Sequence, residues 1–311
     1  MSTAASRASA LHKLFQNADK TVAGSPSAWE KVLLGSAQHV STPLAARLLG
    51  QMGLGRETGG AVRVFENACG VGVVAPLLQQ TLAPEVLGQS RIVCGDFSEQ
   101  VVGLVRGRAE REGWVNTEAE RVDAQKMRFD DGAFTHVATN IGFHVVPDSE
   151  AALDEAIRVL EPGGVLGFST WHKQSGWMEQ VKEAFKTFPF EAPCEMELQT
   201  TTWGDWSDVN WIRKTLVDKG LHDVKVEVVA YLTQVEGPAD FIEKYAMMID
   251  WVMGSGWSEE QKKAHPREEV QALIKEFFEQ DPRYGSSGWE MSWVGVLASG
   301  CVSSEACGVE V

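Results

Sequence analysis

Apolar positions along this chain follow two rhythms that alternate from about residue 60 to residue 172. Short apolar runs recur, and each is followed by apolar residues at helical spacing. The runs predict strands at Val62–Glu66, Arg91–Gly95, Arg121-Val122, Phe134–Thr139 and Val165–Ser169. The spacing predicts helices from Val73 to Thr81, from Ser98 to Glu112, and from Ser149 onward with Leu153, Ile157 and Leu160 on the inner face. Pro76 falls in a first turn, where its missing N–H costs little; Gly113 and Glu161-Pro162-Gly163-Gly164 act as stops. Strands alternating with helices of this length predict an α/β fold with a parallel, doubly wound sheet.

Outside that block the rhythm changes. Leu11 to Leu49 reads as helix, broken at Gly24-Ser25-Pro26, and residues 173–220 and 238–281 read as mostly helical. Val224–Tyr231 alternates like a strand, and Trp289–Ala298 is a last strand, giving a hairpin-like final pair. The expected organisation is an N-terminal helical lid over 1–60 and a ligand-binding core over 61–172. The remainder of the sheet, with helical insertions, follows over 173–300, then a flexible tail over 301–311.

A length of 311 residues and 44% apolar content suit two domains, or one large domain with a sizeable core. The net charge of −15 argues against a nucleic-acid backbone or an anionic membrane surface as partner. None of the five cysteines forms a C-x-x-C pair, so neither a disulfide framework nor a metal site is expected. Nothing resembles a signal peptide, and no apolar stretch approaches the ~18 residues of a membrane span. A soluble, cytoplasmic protein is the expectation; the oligomeric state is not legible.

Gly70-Val71-Gly72-Val73-Val74-Ala75 satisfies G-x-G-x-x-G/A, which by itself suggests a dinucleotide or a mere structural turn. The acids refine that reading. Glu66, four residues before Gly70, is expected to point a carboxylate into the crevice. A pyrophosphate there would be repelled, whereas the ammonium and sulfonium of S-adenosylmethionine would not. Asp96 ends the second strand, where it can accept both ribose hydroxyls. Asp123 ends the third, where it can accept from an adenine amino group beside the Ala124 amide. An NAD(P)-dependent oxidoreductase is the alternative, although it wants a Tyr/Lys or His partner that the sequence does not place.

Val64-Phe65-Glu66-Asn67-Ala68-Cys69-Gly70-Val71-Gly72 resembles the glycine-rich signature of class I S-adenosylmethionine-dependent methyltransferases. Gly95-Asp96-Phe97-Ser98, Val122-Asp123-Ala124 and Leu160-Glu161-Pro162-Gly163-Gly164-Val165-Leu166 match that family's later motifs in order. Glu112-Gly113-Trp114-Val115-Asn116, Ser169-Thr170-Trp171 and Trp257-Ser258-Glu259-Glu260-Gln261 more narrowly resemble fungal thiomethyltransferases of secondary metabolism. The resemblance implies a Rossmann-like sheet with an N-terminal helical cover and helical insertions that form an acceptor pocket. It also implies methyl transfer to a thiol, amine or hydroxyl of a small natural product, unless the chain is a non-methylating relative that only binds the cofactor.

Position by position, the resemblance puts Gly70 and Gly72 near the methionine part, with Glu66 orienting its amino group indirectly. Asp96 would hold the ribose, Phe97 would pack on adenine, and Asp123 and Ala124 would read its edge. Asn67, Ala68 and Ser98 belong to the same contact set, and Asn140 would offer oxygen to the ammonium. Ala68 departs from the family, which often has glycine there. His144 follows the fourth strand, and reads either as a base for the acceptor or as a packing histidine. Trp29, Phe143, Trp171, Trp177, Met248 and Trp251 are the candidate acceptor contacts, among eleven tryptophans that also suit ordinary core packing.

Overall fold

The computed structural model describes residues 26–174, 177–194, 199–284 and 288–304. The expected helix start at Leu11, Leu14 and Phe15 and most of the expected tail lie outside the described residues, as do the side chains of Trp29 and Trp177.

The described elements, in order, are α1 (Pro26–Val40), α2 (Thr42–Gln51), β1 (Arg63–Asn67), α3 (Val74–Thr81), α4 (Pro84–Leu87), β2 (Arg91–Asp96) and α5 (Glu99–Glu112). Then come β3 (Thr117–Arg121), β4 (Phe134–Asn140), α6 (Ser149–Arg158), β5 (Leu160–Trp171), α7 (Trp177–Phe185) and α8 (Val209–Asp218). The chain continues with β6 (His222–Val235), α9 (Pro238–Gly256), α10 (Glu259–Ala264), α11 (Arg267–Gln280) and β7 (Trp289–Cys301). The seven strands form one sheet in the order β3-β2-β1-β4-β5-β7-β6. Strands β1 to β5 pair in parallel, and β7 runs antiparallel to β5 from Val165↔Cys301 to Trp171↔Gly295. The order reverses at β1, so its carboxyl end and that of β4 flank the crevice where such sheets bind ligands.

The chain packs as two compact units. One comprises Ser41–His172, Gln199–Val229 and the chain from Gly295; the other comprises the chain up to Val40, Lys173–Leu198 and Ala230–Val294. Packing therefore divides the chain at Val40/Ser41 rather than at residue 60, because α2 belongs with the sheet. Leu44 and Leu48 of α2 are buried, and a Cβ on Gly295 would meet Leu44 at 2.9 Å.

In the sheet unit the core is aromatic on one face. Phe65 stacks on Phe134 at 5.3 Å, and Phe129 meets both edge-on. Phe143, Phe168 and Trp206 form a second group, with Phe143 stacked on Trp206 at 5.2 Å. Each such pair adds about 0.5–1.5 kcal/mol beyond its area burial. The Trp206 indole donates to Ser149 Oγ at 3.1 Å, which satisfies its buried N–H. In the helical unit Phe241, Phe278, Tyr284 and Trp289 pack together, and Trp293 donates to Thr233 Oγ1 at 2.8 Å.

Several expectations change here. The stretch 173–220 is helical only at α7 and α8; between them the described chain is extended and turned, around Trp203 and Trp206. The third strand is Thr117–Arg121, ahead of the expected Arg121-Val122. Its residues are Thr-Glu-Ala-Glu-Arg on an edge, so no apolar run announces it. Leu160 belongs to β5, which runs through Glu161-Pro162-Gly163-Gly164 rather than starting after it. Trp257-Ser258-Glu259-Glu260-Gln261 is the capping box of α10, where Ser258 and Gln261 exchange side-chain and backbone hydrogen bonds.

Gly204 has φ +72°, and a Cβ there would fall 1.8 Å from the Trp211 ring. Gly204→Ala is expected to destabilise the protein by about 2–3 kcal/mol, through a strained backbone and a displaced indole. Urea unfolding checks this, and an unchanged free energy of unfolding would refute the packing described around Trp211.

Candidate functional site

The parallel register sets the carboxyl ends of β1, β2 and β4 side by side: Asn67 pairs with Gly95, and Glu66 with Ala138. The loop after β1 then bends back sharply. Ala68, Gly70 and Gly72 all have positive φ, at +50°, +53° and +73°. For Ala68 this is a strained conformation, and it explains why relatives of this pattern favour glycine there. Its methyl faces Gly142, where a Cβ would lie 3.1 Å from it and 2.6 Å from Thr139 Cγ2. Glycine at 142 makes room for the alanine at 68.

The two loop glycines differ in use. A Cβ on Gly70 would meet nothing within 4 Å, so this side of the loop opens on free space. A Cβ on Gly72 would touch Val105 at 3.4 Å and Trp114 at 3.6 Å, so this glycine serves close packing against α5.

Glu66 is placed differently from the expectation. It is 1% exposed, and its carboxylate turns under the loop rather than into the crevice. Oε1 accepts from the Val73 and Val74 amides at 2.9 Å each, and Oε2 accepts from Ala75 at 3.0 Å. The Cys94 thiol donates to Oε2 at 3.4 Å. The cause is local: α3 has no side-chain cap of its own, and its first N–H groups need an acceptor. Burial raises the Glu66 carboxyl above its ordinary value, while the three amides and the thiol pull it back down. Burial also raises the Cys69 and Cys94 thiols well above theirs.

Asp96 holds two loops at once. Oδ2 accepts from the Gly70 amide at 3.0 Å, and Oδ1 from the Ser98 amide at 2.9 Å. A carboxylate oxygen carries two lone pairs, so a carboxylate is a type of group that can accept ribose hydroxyls. Phe97 is 46% exposed, with the Arg121 guanidinium 5.1 Å from its ring centre. Ser98 caps α5, and Asp123 Oδ1 accepts from the amide and side chain of Gln125, both at 2.9 Å; Ala124 is buried beside it. Asn67 donates to Thr139 Oγ1 at 3.2 Å. Asn140 donates to the Ser41 carbonyl at 3.2 Å and accepts from Ser169 Oγ at 2.6 Å, so its side chain tensions β4 against α2 and β5.

His144 does not stand at a wall. It is 1% exposed, neither ring nitrogen has a hydrogen-bond partner among the described residues, and burial lowers its pKa to about 4. A base must reach the proton it takes, and this enclosed placement fits the packing reading of the histidine. Phe143 likewise lies in the aromatic core rather than on a pocket wall. Trp171 is nearly buried at the carboxyl end of β5, and in the helical unit Met248 and Trp251 are half-buried on α9. Among the described residues no group of three or more His, Cys, Asp or Glu side chains is arranged to hold a metal.

Arg108 was not singled out by the sequence reading. It shares the inner face of α5 with Val101 and Val105, and its Nη1 donates to the carbonyls of Val71 and Gly72 at 2.6 and 2.9 Å. The signal was available: an arginine at an apolar position of an otherwise apolar helix face.

A methyltransferase domain model matches residues 64–164, which span this whole constellation. Methyltransferase tpcH of Aspergillus fumigatus is 30% identical over 266 residues, 84% of this chain and 92% of that protein. The chain belongs to the S-adenosylmethionine-dependent methyltransferases. Acetylaranotin bis-thiomethyltransferase of Aspergillus terreus is 26% identical over 81% of this chain and 86% of its own length. Among solved structures, the YcgJ protein of Bacillus subtilis aligns with a TM-score of 0.50 at 13% identity, covering 85% of this chain and all of that one, which shows the shared fold. Membership decides the cofactor, S-adenosylmethionine, against the dinucleotide alternative. Among the described residues no helix of this methyltransferase is long and apolar enough to cross a membrane.

The buried His144 gives a pH signature. Its folded pKa lies below the ordinary 6.5, so the stability linked to its neutral form is complete above pH 6.5 and is lost as the pH falls toward about 4. His144→Gln is expected to flatten this acid limb, recovering about 3 kcal/mol relative to wild type between the two ends of the window. Urea unfolding across that range checks it, and parallel pH profiles for the two proteins would refute the buried, neutral state.

Proposed function

We propose that this methyltransferase binds S-adenosylmethionine against the Gly70 side of its loop and transfers the methyl group to a heteroatom of a small, fairly apolar natural product. The observation that carries this is the open, positive-φ Gly70, whose amide is held by Asp96 while Phe97 presents half its surface nearby. These residues suit the cofactor: a backbone without a side chain for the methionine part, a carboxylate for the ribose and an aromatic ring for adenine. Asn67, Ala68, Ser98, Asp123, Ala124 and Asn140 complete the proposed contact set. Glu66 and Gly72 serve it by shaping the loop from behind. When bound, the cofactor supplies an electrophilic methyl on a sulfonium.

The chain's own part is then to align that methyl with the acceptor, and alignment alone can supply on the order of 7–11 kcal/mol. A thiol ionises near pH ~8.5 and needs the least assistance among thiol, amine and hydroxyl acceptors. The likeness to a protein named as a bis-thiomethyltransferase supports the same choice. Trp171, at the carboxyl end of β5 in the same unit as the loop, is the side chain we put forward for acceptor contact.

Titration calorimetry with S-adenosylmethionine is expected to give micromolar binding that Asp96→Ala weakens at least about tenfold, as loss of a charged acceptor would. Equal affinity in the variant would remove the crevice reading. Incubation with dithiols, amines and phenols, followed by mass spectrometry, then identifies the acceptor class; methylation of amines or phenols but not thiols would overturn the thiol choice. With the acceptor known, Trp171→Ala is expected to raise its KM about tenfold at unchanged cofactor affinity, the loss of one aromatic contact. An unchanged KM would remove Trp171 from the acceptor contacts.

A further inference from the structure

We infer that Arg108 is a positioning residue for the amino-acid arm of the cofactor, acting through the carbonyl groups of the glycine loop. The inference rests on the reading that S-adenosylmethionine lies against this loop. Arg108 is 8% exposed, and its guanidinium makes four hydrogen bonds to the loop and to Glu112. Besides the two loop carbonyls, Nε and Nη2 donate to the carboxylate oxygens of Glu112 at 2.9 and 3.3 Å. The Trp114 ring lies 4.9 Å from the guanidinium carbon, and its Nε1 donates to Glu112 at 3.1 Å.

An apolar side chain of similar length would fill this space without desolvating a cation, so packing alone does not account for an arginine. What the guanidinium adds is direction. The Gly72–Val73 peptide unit has its N–H on Glu66 and its C=O on Arg108. The Val71–Gly72 unit has its N–H on the Cys69 carbonyl and its C=O on Arg108. Two consecutive peptide planes are thus pinned at both ends, one of them between a buried anion and a buried cation. Neither plane can rotate without breaking a hydrogen bond to a charged group, which is about twice as strong as a neutral one. Gly70 lies immediately upstream, and the shape of its open side follows from these two planes. A loop ordered before binding spares the ligand that ordering.

The test uses the full chain and two ligands. S-adenosylmethionine carries the amino-acid arm; methylthioadenosine lacks it and keeps the nucleoside. In titration calorimetry, Arg108→Met is expected to weaken S-adenosylmethionine about tenfold and methylthioadenosine less than about twofold, with Arg108→Lys recovering part of the loss. A folded Arg108→Met with wild-type affinity for S-adenosylmethionine, or one that loses both ligands equally, overturns the inference. Glu112→Gln, which keeps the arginine but loosens its anchor, covers the case in which Arg108→Met does not fold. It is expected to weaken only S-adenosylmethionine, by about threefold, and equal effects on both ligands count against the inference. Asp96→Ala separates the two levels: if it weakens both ligands while the Arg108 variants weaken neither, the positioning role fails and the cofactor site stands. If Asp96→Ala binds like wild type, the cofactor site itself fails.

Discussion

The site depends on one buried carboxylate. Glu66 is taken out of water at the end of β1, which by itself disfavours its charged form. Three successive amides at the start of α3, with the positive end of that helix behind them, offset the loss. Once those amides are committed, the six residues between Glu66 and Val73 have little freedom. They must turn within one loop, and that turn is what drives Ala68, Gly70 and Gly72 to positive φ. At Gly142 a Cβ would fall 2.6 Å from Thr139 Cγ2 and 3.1 Å from the Ala68 methyl, so the loop leaves little room for a side chain there. Asp96 and Arg108 tie the same loop to β2 and α5. The loop is therefore rigid by construction, held by two acids and one arginine.

The tryptophans tell a different story from the one their number suggests. Trp203, Trp206 and Trp211 pack on one another in the sheet unit, with ring centres 5.0–5.9 Å apart, and Trp206 joins them to Phe143 and Phe168. Trp289 and Trp293 belong to the aromatic core of the helical unit, and Trp257 is buried with its indole N–H on the Pro193 carbonyl at 2.8 Å. Most described tryptophans thus fill core space, as large flat side chains with one polar edge do when that edge finds an acceptor.

Much of the sheet was legible because its strands are apolar and its helices periodic. β1, β2, β4 and β5 were all expected within a few residues of where they lie, and the order of acids at their ends pointed to the crevice. What escaped was whatever the tertiary environment decides. β3 is polar because it is an edge, so its neighbour rather than its sequence makes it a strand. Glu66 reads identically whether its carboxylate faces a ligand or a helix terminus, and only the uncapped start of α3 distinguishes the two. Phe143 and His144 follow a strand end as acceptor-facing residues would. They fold inward because Ile141, at φ +56°, and Gly142 reverse the chain and lead it into a short helical turn packed on Phe168 and Trp206. Arg108 breaks an apolar stripe, and that break was itself the clue.

Methyl transfer from a sulfonium makes modest demands on acid–base groups and severe ones on geometry. A rigid donor loop therefore matters more here than a perturbed titratable group. His144, whose pKa burial lowers strongly, is enclosed in the core. Rigidity in the donor half has a further consequence for specificity. If the loop geometry is set by Glu66, Asp96 and Arg108, which all act within the residues matched by the domain model, the cofactor's pose is independent of the acceptor. The matched residues end at 164, and Trp171, the side chain proposed for acceptor contact, lies beyond them. Under that proposal, changes there would alter which molecule meets the methyl group while leaving the hydrogen bonds of the loop intact, so a fold of this kind can change substrates while keeping its chemistry.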